Sequence, residues 1–341
     1  MDCNAPALRY GGAVARAASQ DLPVSRDAVN RRAYPFADRW FRAPAGRMHF
    51  VDEGHGPPVL FVHGTPTWSF EWRHLIRSLR HTHRCIAVDH LGFGLSDRPI
   101  DFPYTPEAHA ENFAAFVDAL GLDDLTLVVH DFGGPIALPV CLRSPRPVRR
   151  LVLLNTWMWS FAGDRDMERK ARIAGSGLGR FLYGRFNLSL RVIMPSAFGD
   201  RRRLDPHVHR QYLKRFPDRA SRERVLWPLA RSLLGSGPWF DSLWQRRDRL
   251  AGLPTLVLWG LADSAFRPHL LDRWKATLPG ARVVAYERAG HWPHEEIPAR
   301  VARDLGEWLG TTAWRRPPAS PLAPERVAPD PAFSPSSSHP P

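Results

Sequence analysis

The chain has 341 residues, 44% of them apolar and 24% charged, with 13 Trp, which suits one large α/β domain carrying an inserted subdomain and excludes a disordered or fibrous protein. Its formal charge of +13 is almost all arginine, since Lys170, Lys214 and Lys275 are the only lysines, and residues 160–250 alone hold 20 Arg plus Lys against nine Asp plus Glu, a net +11. These cations are interspersed with acids and apolar residues and come with no binding motif, so they read as a solvated basic face rather than a nucleic-acid site.

Residues 1–34 are polar, aperiodic and contain Gly and Arg, and they read as a disordered N-terminal extension; Arg9 and Arg16 interrupt it before any signal-like apolar run forms. Beyond it, short apolar runs alternate with helix-like stretches, the pattern of a mostly parallel sheet with helices on both faces. Strands are predicted over 58–63, 84–89, 125–130, 149–155, 254–260 and 281–286, and helices over 71–80, 107–120, 133–143, 267–278 and 298–309. The interval 156–252 breaks this rhythm, is far longer than an ordinary connection and holds amphipathic, Arg- and Trp-rich segments; it is expected to be a helical cap inserted between core halves 35–155 and 253–312. The end, 313–341, is a Pro-rich tail with nine prolines from Pro317 onward. Cys3, Cys85 and Cys141 lack metal or redox spacing, and no run approaches the ~18 apolar residues of a membrane span, so a cytoplasmic protein is predicted.

In an open parallel sheet, ligands bind beyond the carboxyl ends of the strands. Four segments of chemical interest fall there. His63-Gly64-Thr65-Pro66-Thr67-Trp68 follows the first predicted strand, and Val129-His130-Asp131-Phe132-Gly133-Gly134 joins an apolar strand to a helix as a nucleophile elbow does, with Asp in the central place. Gly260-Leu261-Ala262-Asp263 and Ala289-Gly290-His291-Trp292-Pro293-His294-Glu295 follow the last two strands. Taken singly, Asp131 caps a helix, 63–68 is a Gly-Pro turn, Asp263 makes an Asx turn, and His291 competes with His63, His130 and His294. Taken together, nucleophile, acid and base occur in the order and at the strand ends of a catalytic triad.

With Asp89-His90-Leu91-Gly92-Phe93-Gly94-Leu95-Ser96-Asp97 between them, these segments resemble the haloalkane dehalogenase group of the α/β-hydrolase fold over roughly residues 35–310; aspartate-nucleophile epoxide hydrolases and β-lactone decarboxylases are similar. The resemblance implies Asp131 as nucleophile, His291 as base, Asp263 as acid, and backbone N–H groups of Thr65 and Phe132 as oxyanion hole. Asn155 stands where some relatives carry their acid, which implies the branch with that acid at Asp263. An attacking carboxylate leaves an alkyl ester that water then cleaves, so a small apolar organic substrate and water are expected and neither metal nor organic cofactor is called for. Trp68, Trp157, Tyr183 and Tyr212 are candidates to line the substrate pocket.

The pattern departs where dehalogenases hold the leaving halide. A Trp after the nucleophile and an Asn or second Trp are usual, whereas Phe132 has no donor and Thr65 offers a shorter hydroxyl. Another Trp, from Trp157, Trp159, Trp227, Trp239 or Trp244, is a substitute donor or a packing residue. Epoxide opening by cap tyrosines (Tyr183 and Tyr212), β-lactone decarboxylation, and a non-catalytic binding protein on the same fold remain as alternatives.

Overall fold

In a computed structural model, residues 29–122, 124–143 and 147–311 are described. They form β1 (Arg39–Ala43), β2 (Gly46–Glu53), β3 (Pro58–Val62), α1 (Arg73–Leu79), β4 (Arg84–Val88), α2 (Pro106–Leu120), β5 (Leu125–Asp131), α3 (Gly133–Ala137) and β6 (Val148–Thr156). An insertion follows, with α4 (Arg165–Gly175), α5 (Gly177–Phe186), α6 (Met194–Ala197), α7 (Pro206–Leu213), α8 (Arg219–Ser221), α9 (Trp227–Gly235) and α10 (Gly237–Trp244). The chain returns to the sheet through β7 (Thr255–Gly260), α11 (Pro268–Thr277), β8 (Arg282–Tyr286), α12 (Pro293–Glu296) and α13 (Pro298–Thr311).

The strands make one sheet in the order β1-β2-β4-β3-β5-β6-β7-β8, antiparallel from β1 to β4 and parallel thereafter. Its centre is apolar on both faces, as a parallel sheet covered by helices requires: Val59 to Val62, Leu127 to Val129, Leu151 to Leu154 and Leu256 to Trp259 are fully buried. Val62 pairs with Val129, His130 with Leu154, and Leu154 with Leu258, so the carboxyl ends of β3, β5, β6 and β7 finish along one edge.

Three expectations change. The hairpin β1–β2 was not predicted, although Arg47-Met48-His49-Phe50-Val51-Asp52 precedes the first expected strand; its burial does not alternate strictly, with Met48 and His49 both buried. The helix expected over 133–143 stops at Ala137 and continues as a 3₁₀ turn, Leu138–Leu142, because Pro139 has no N–H to donate back along the helix. The boundary at residue 34 is too late: Tyr34 is fully buried with its hydroxyl 2.5 Å from Ser69 Oγ, and Asn30 N–H donates to Gln211 Oε1 at 3.0 Å. Residues 1–28 and 312–341, read as terminal extensions, lie outside the described residues. Among the described residues no helix is long and apolar enough to cross a membrane.

Candidate active site

Asp131 ends β5 with φ +50°, a left-handed conformation that a non-glycine residue adopts only where its surroundings hold it. They do so tightly. A Cβ on Gly64 would lie 2.3 Å from Asp131 Oδ1, and one on Gly134 would lie 1.9 Å from Thr156 Oγ1, so the two glycines let neighbouring strands close on the turn. Thr156 Oγ1 donates to the Asp131 carbonyl at 2.6 Å, and Thr65 N–H donates to Asp131 Oδ1 at 2.8 Å. The second oxygen, Oδ2, lies 3.4 Å from His291 Nε2.

His291 is positioned from both sides of the sheet edge. Its N–H donates to Ala197 O in the insertion at 2.8 Å, its carbonyl accepts from His130 Nε2 at 2.9 Å, and its Nδ1 donates to Asp263 Oδ2 at 2.7 Å. That oxygen also accepts from Asn155 Nδ2 at 2.8 Å, and Oδ1 accepts from Ala265 N–H at 2.7 Å. Burial disfavours a charged imidazole, but the carboxylates of Asp263 and Asp131 outweigh it and push the His291 pKa up to about 10.

Asn155 has a function the sequence reading did not assign to it. Its Oδ1 accepts from Gly260 N–H at 2.9 Å while Nδ2 donates to Gly260 O at 3.1 Å and to Asp263. The place of an alternative acid thus holds an amide that fixes Asp263 on the next strand. A pair of strand-end residues on neighbouring strands was the available signal.

Of the four pocket candidates, one meets the residue after Asp131 and another feels the Asp131 charge. Trp157 is fully buried, meets Phe132 edge-on at 4.7 Å between ring centroids, and has no hydrogen bond to its Nε1 among the described residues. Tyr183, from α5, is buried; its hydroxyl pKa is raised by burial first and by the Asp131 charge second, so it lies within electrostatic reach of that carboxylate. Trp68 and Tyr212 take part elsewhere: Trp68 stacks on Phe70 and meets Tyr34, and the Tyr212 hydroxyl donates to Glu295, which also holds Arg73 in a buried bidentate pair at 2.5 and 2.8 Å. Neither set of contacts includes Asp131, Asp263 or His291. Trp159 and Trp244 pack on each other at 4.9 Å, the packing alternative for those rings.

Residues 57–298 match the α/β hydrolase fold family. Over 279 residues the chain is 38% identical to haloalkane dehalogenase 2 of Mycobacterium tuberculosis, covering 81% of this chain and 96% of that protein. It is 31% identical over 287 residues to cis-3-alkyl-4-alkyloxetan-2-one decarboxylase of Shewanella oneidensis, covering 82% and 90%. A solved structure of a haloalkane dehalogenase from Agrobacterium tumefaciens matches with a TM-score of 0.70 at 30% identity, over 82% of this chain and 99% of that one. The chain belongs to the α/β-hydrolase family and is an enzyme of its haloalkane dehalogenase-like group.

Proposed function

We propose that the protein hydrolyses carbon–halogen bonds of small apolar organic molecules through an ester on Asp131. One observation carries this reading: Asp131 Oδ1 is held by the Thr65 N–H while, among the described residues, Oδ2 has its polar contact with His291 Nε2, at 3.4 Å, so one oxygen is anchored and the other is left to attack. Oδ2 displaces the halide at an sp3 carbon; the carbon–halogen bond breaks, the halide leaves with its electron pair, and the carboxylate becomes a neutral ester. Loss of that charge lowers the proton affinity of His291, which had been held up by both carboxylates. As base, His291 Nε2 takes a proton from water, and the resulting hydroxide adds to the Asp131 carbonyl carbon. Oδ1 gains the charge beside the N–H groups of Thr65 and Phe132. Collapse releases the alcohol, which takes the proton back, and restores the carboxylate with one oxygen from water; halide and a proton are the other products.

The insertion serves as a cap in this scheme, supported by Tyr183 within reach of the Asp131 charge and by the Ala197 carbonyl that holds His291. Trp157 supplies the halide donor that Phe132 lacks, an indole N–H left unpaired next to the elbow. Substrate and water are the only partners the chemistry needs, and the buried Cys85 and Cys141, which form no disulfide, suit a cytoplasmic setting. A second reading, opening of a β-lactone, is favoured by Phe132, because a carboxylate leaving group makes less demand on a halide donor.

The test is halide release from 1-bromobutane and 1-chlorobutane, run beside an epoxide and a β-lactone. Bromide released faster than chloride is the expected result. Consumption of the β-lactone with no halide from either alkyl halide overturns the dehalogenase reading in favour of the second. Epoxide opening is not expected, since the hydroxyl of Tyr212, one of the two cap tyrosines, is engaged by Glu295 rather than available to protonate the ring oxygen.

A further inference from the structure

Beside the candidate triad lies another group of chemically active side chains. Glu71 comes from the 3₁₀ turn Ser69–Trp72, His130 is the residue before Asp131, and His294 sits on α12, three residues after His291; all three are fully buried. His130 Nδ1 is 3.5 Å from Glu71 Oε1, His294 Nε2 is 3.6 Å from Glu71 Oε2, and the three potential ligand atoms lie within 4.8 Å of one another. Both Glu71 oxygens, His130 Nδ1 and both His294 nitrogens lack a hydrogen bond among the described residues. So many unpaired polar atoms in the interior are costly unless something other than the chain's own groups satisfies them.

The hydrogen bond from His130 defines what is missing. Because Nε2 donates to the His291 carbonyl at 2.9 Å, a neutral His130 presents a bare lone pair at Nδ1, directed at a carboxylate oxygen that also has only lone pairs. A positive centre must lie between them, and the spacing discriminates among the candidates. A proton shared directly draws nitrogen and oxygen to about 2.7–2.9 Å. A water bridging two groups with bonds of about 2.8 Å keeps them roughly 4.5 Å apart. Two ligands of one tetrahedral ion, each bonded at about 2.1 Å, stand about 3.4 Å apart. The observed 3.5 Å from His130 to Glu71 Oε1 and 3.6 Å from His294 to Glu71 Oε2 are nearest the last case, with the carboxylate turning a different oxygen to each imidazole.

We propose that Glu71, His130 and His294 bind one divalent transition-metal ion, zinc by preference, with water in the fourth position. Two imidazoles and a carboxylate suit that class of ion rather than calcium or magnesium. Both imidazoles are held in place. His130 gives its other N–H to a backbone carbonyl, the usual outer partner of a metal-bound histidine, while the His294 ring is held by stacking on Trp72 at 4.6 Å and 17°, its Nδ1 having no partner among the described residues. Glu295 does not compete, being engaged by Arg73 and Tyr212. The ion is buried away from substrate and acts by position: it joins the residue before Asp131 to the helix that follows His291, and so holds the two halves of the reacting pair in register. The metal site itself does not depend on the proposed reaction, whereas its effect on register rests on Asp131 and His291 being the reacting pair; of its three ligands only His130 has a contact described above, its bond to the His291 carbonyl.

The test is the metal content of the tag-free full chain, purified from medium supplemented with zinc or with cobalt, for the parent, Glu71→Gln and His294→Gln. One zinc per parent chain is expected, with visible d–d absorption of a tetrahedral site in the cobalt-grown protein, and both signals should disappear in the two variants. Prolonged chelation of the parent should lower its melting temperature, and added zinc should restore it, a readout that does not depend on the variants folding. A parent without zinc above background and without cobalt bands, or zinc retained in both variants, overturns the site and leaves a proton-sharing cluster.

Discussion

Two sets of side chains in this protein have the same composition, a histidine between two aspartates, and they differ in how their carboxylate oxygens are committed. In the first, Asp131 and Asp263 flank His291; in the second, His49 of β2 bonds Asp89 at 2.8 Å through Nδ1 and Asp38 at 3.1 Å through Nε2. In both, burial opposes a charged imidazole and the neighbouring carboxylates outweigh it, raising the histidine pKa. The difference is at the carboxylates. Asp89 Oδ1 accepts from Ser69 N–H and Oδ2 accepts from both His49 and Leu95 N–H, so neither oxygen is left for a substrate. Asp131 keeps Oδ2 open to His291 alone and stands at φ +50° on the strand edge where ligands bind. Charge and composition are shared; an uncommitted oxygen on a strained turn is not.

The sharpest way to break this comparison is to exchange the consequences of mutation. Asp131→Ala should cost on the order of 10⁴- to 10⁶-fold in turnover while leaving the urea unfolding midpoint near that of the parent. Residual turnover within tenfold of the parent removes Asp131 from the chemistry. His49→Ala, by contrast, should leave Asp89 buried without its partner and cost about 3–5 kcal/mol of stability, read as a lower unfolding midpoint. A fully stable His49→Ala protein contradicts a structural role for the second set.

Sequence made the first set visible and hid the second. Asp131, Asp263 and His291 each follow an apolar run that ends in turn residues, so strand ends alone locate them. Asp38 and His49 depend on a hairpin whose strands were not read, and their proximity to Asp89 arises only when β2 pairs with β4. The same limit applies to Glu71, His130 and His294, which come from three elements distant in sequence, and to Tyr212, whose aromatic character suggested a pocket while its hydroxyl is committed to Glu295. Local pattern shows where a strand stops. It does not show which oxygen remains unpaired.

A smaller effect sharpens the account of leaving-group stabilisation. Replacing Phe132 with Trp and Thr65 with Asn adds two donors beside Asp131, and a hydrogen bond to a charged group is worth ~1.5–3 kcal/mol, so each donor that reaches the halide should raise its release from 1-chlorobutane ~10- to 100-fold. The Trp157 ring, 4.7 Å from Phe132, sets the space available for the indole. A parent that already releases chloride as fast as bromide contradicts the view that leaving-group stabilisation limits the reaction.

Smaller still is a titration. The His291 pKa of about 10 rests on burial outweighed by two carboxylates, so Asp131→Asn, which removes one of them, should lower it in an NMR titration, whereas Asp38→Asn should leave it unchanged. In the parent, His291 holds a proton that the unfolded chain releases near its ordinary pKa of 6.5. Its contribution to stability is therefore complete below about pH 6.5 and is lost as pH rises through about 10. A His291 pKa unaffected by Asp131→Asn removes the coupling on which its release as a base depends.

The claim at the centre is that Asp131 carries the substrate as an ester and that His291 is needed chiefly to remove it. His291→Asn, incubated with 1-bromobutane and digested, should yield a peptide containing Asp131 that is heavier by one butyl group replacing one hydrogen, with about one bromide released per chain and no further turnover. Bromide released over many turnovers with an unmodified Asp131 peptide, or a butyl group found on a different residue, contradicts it.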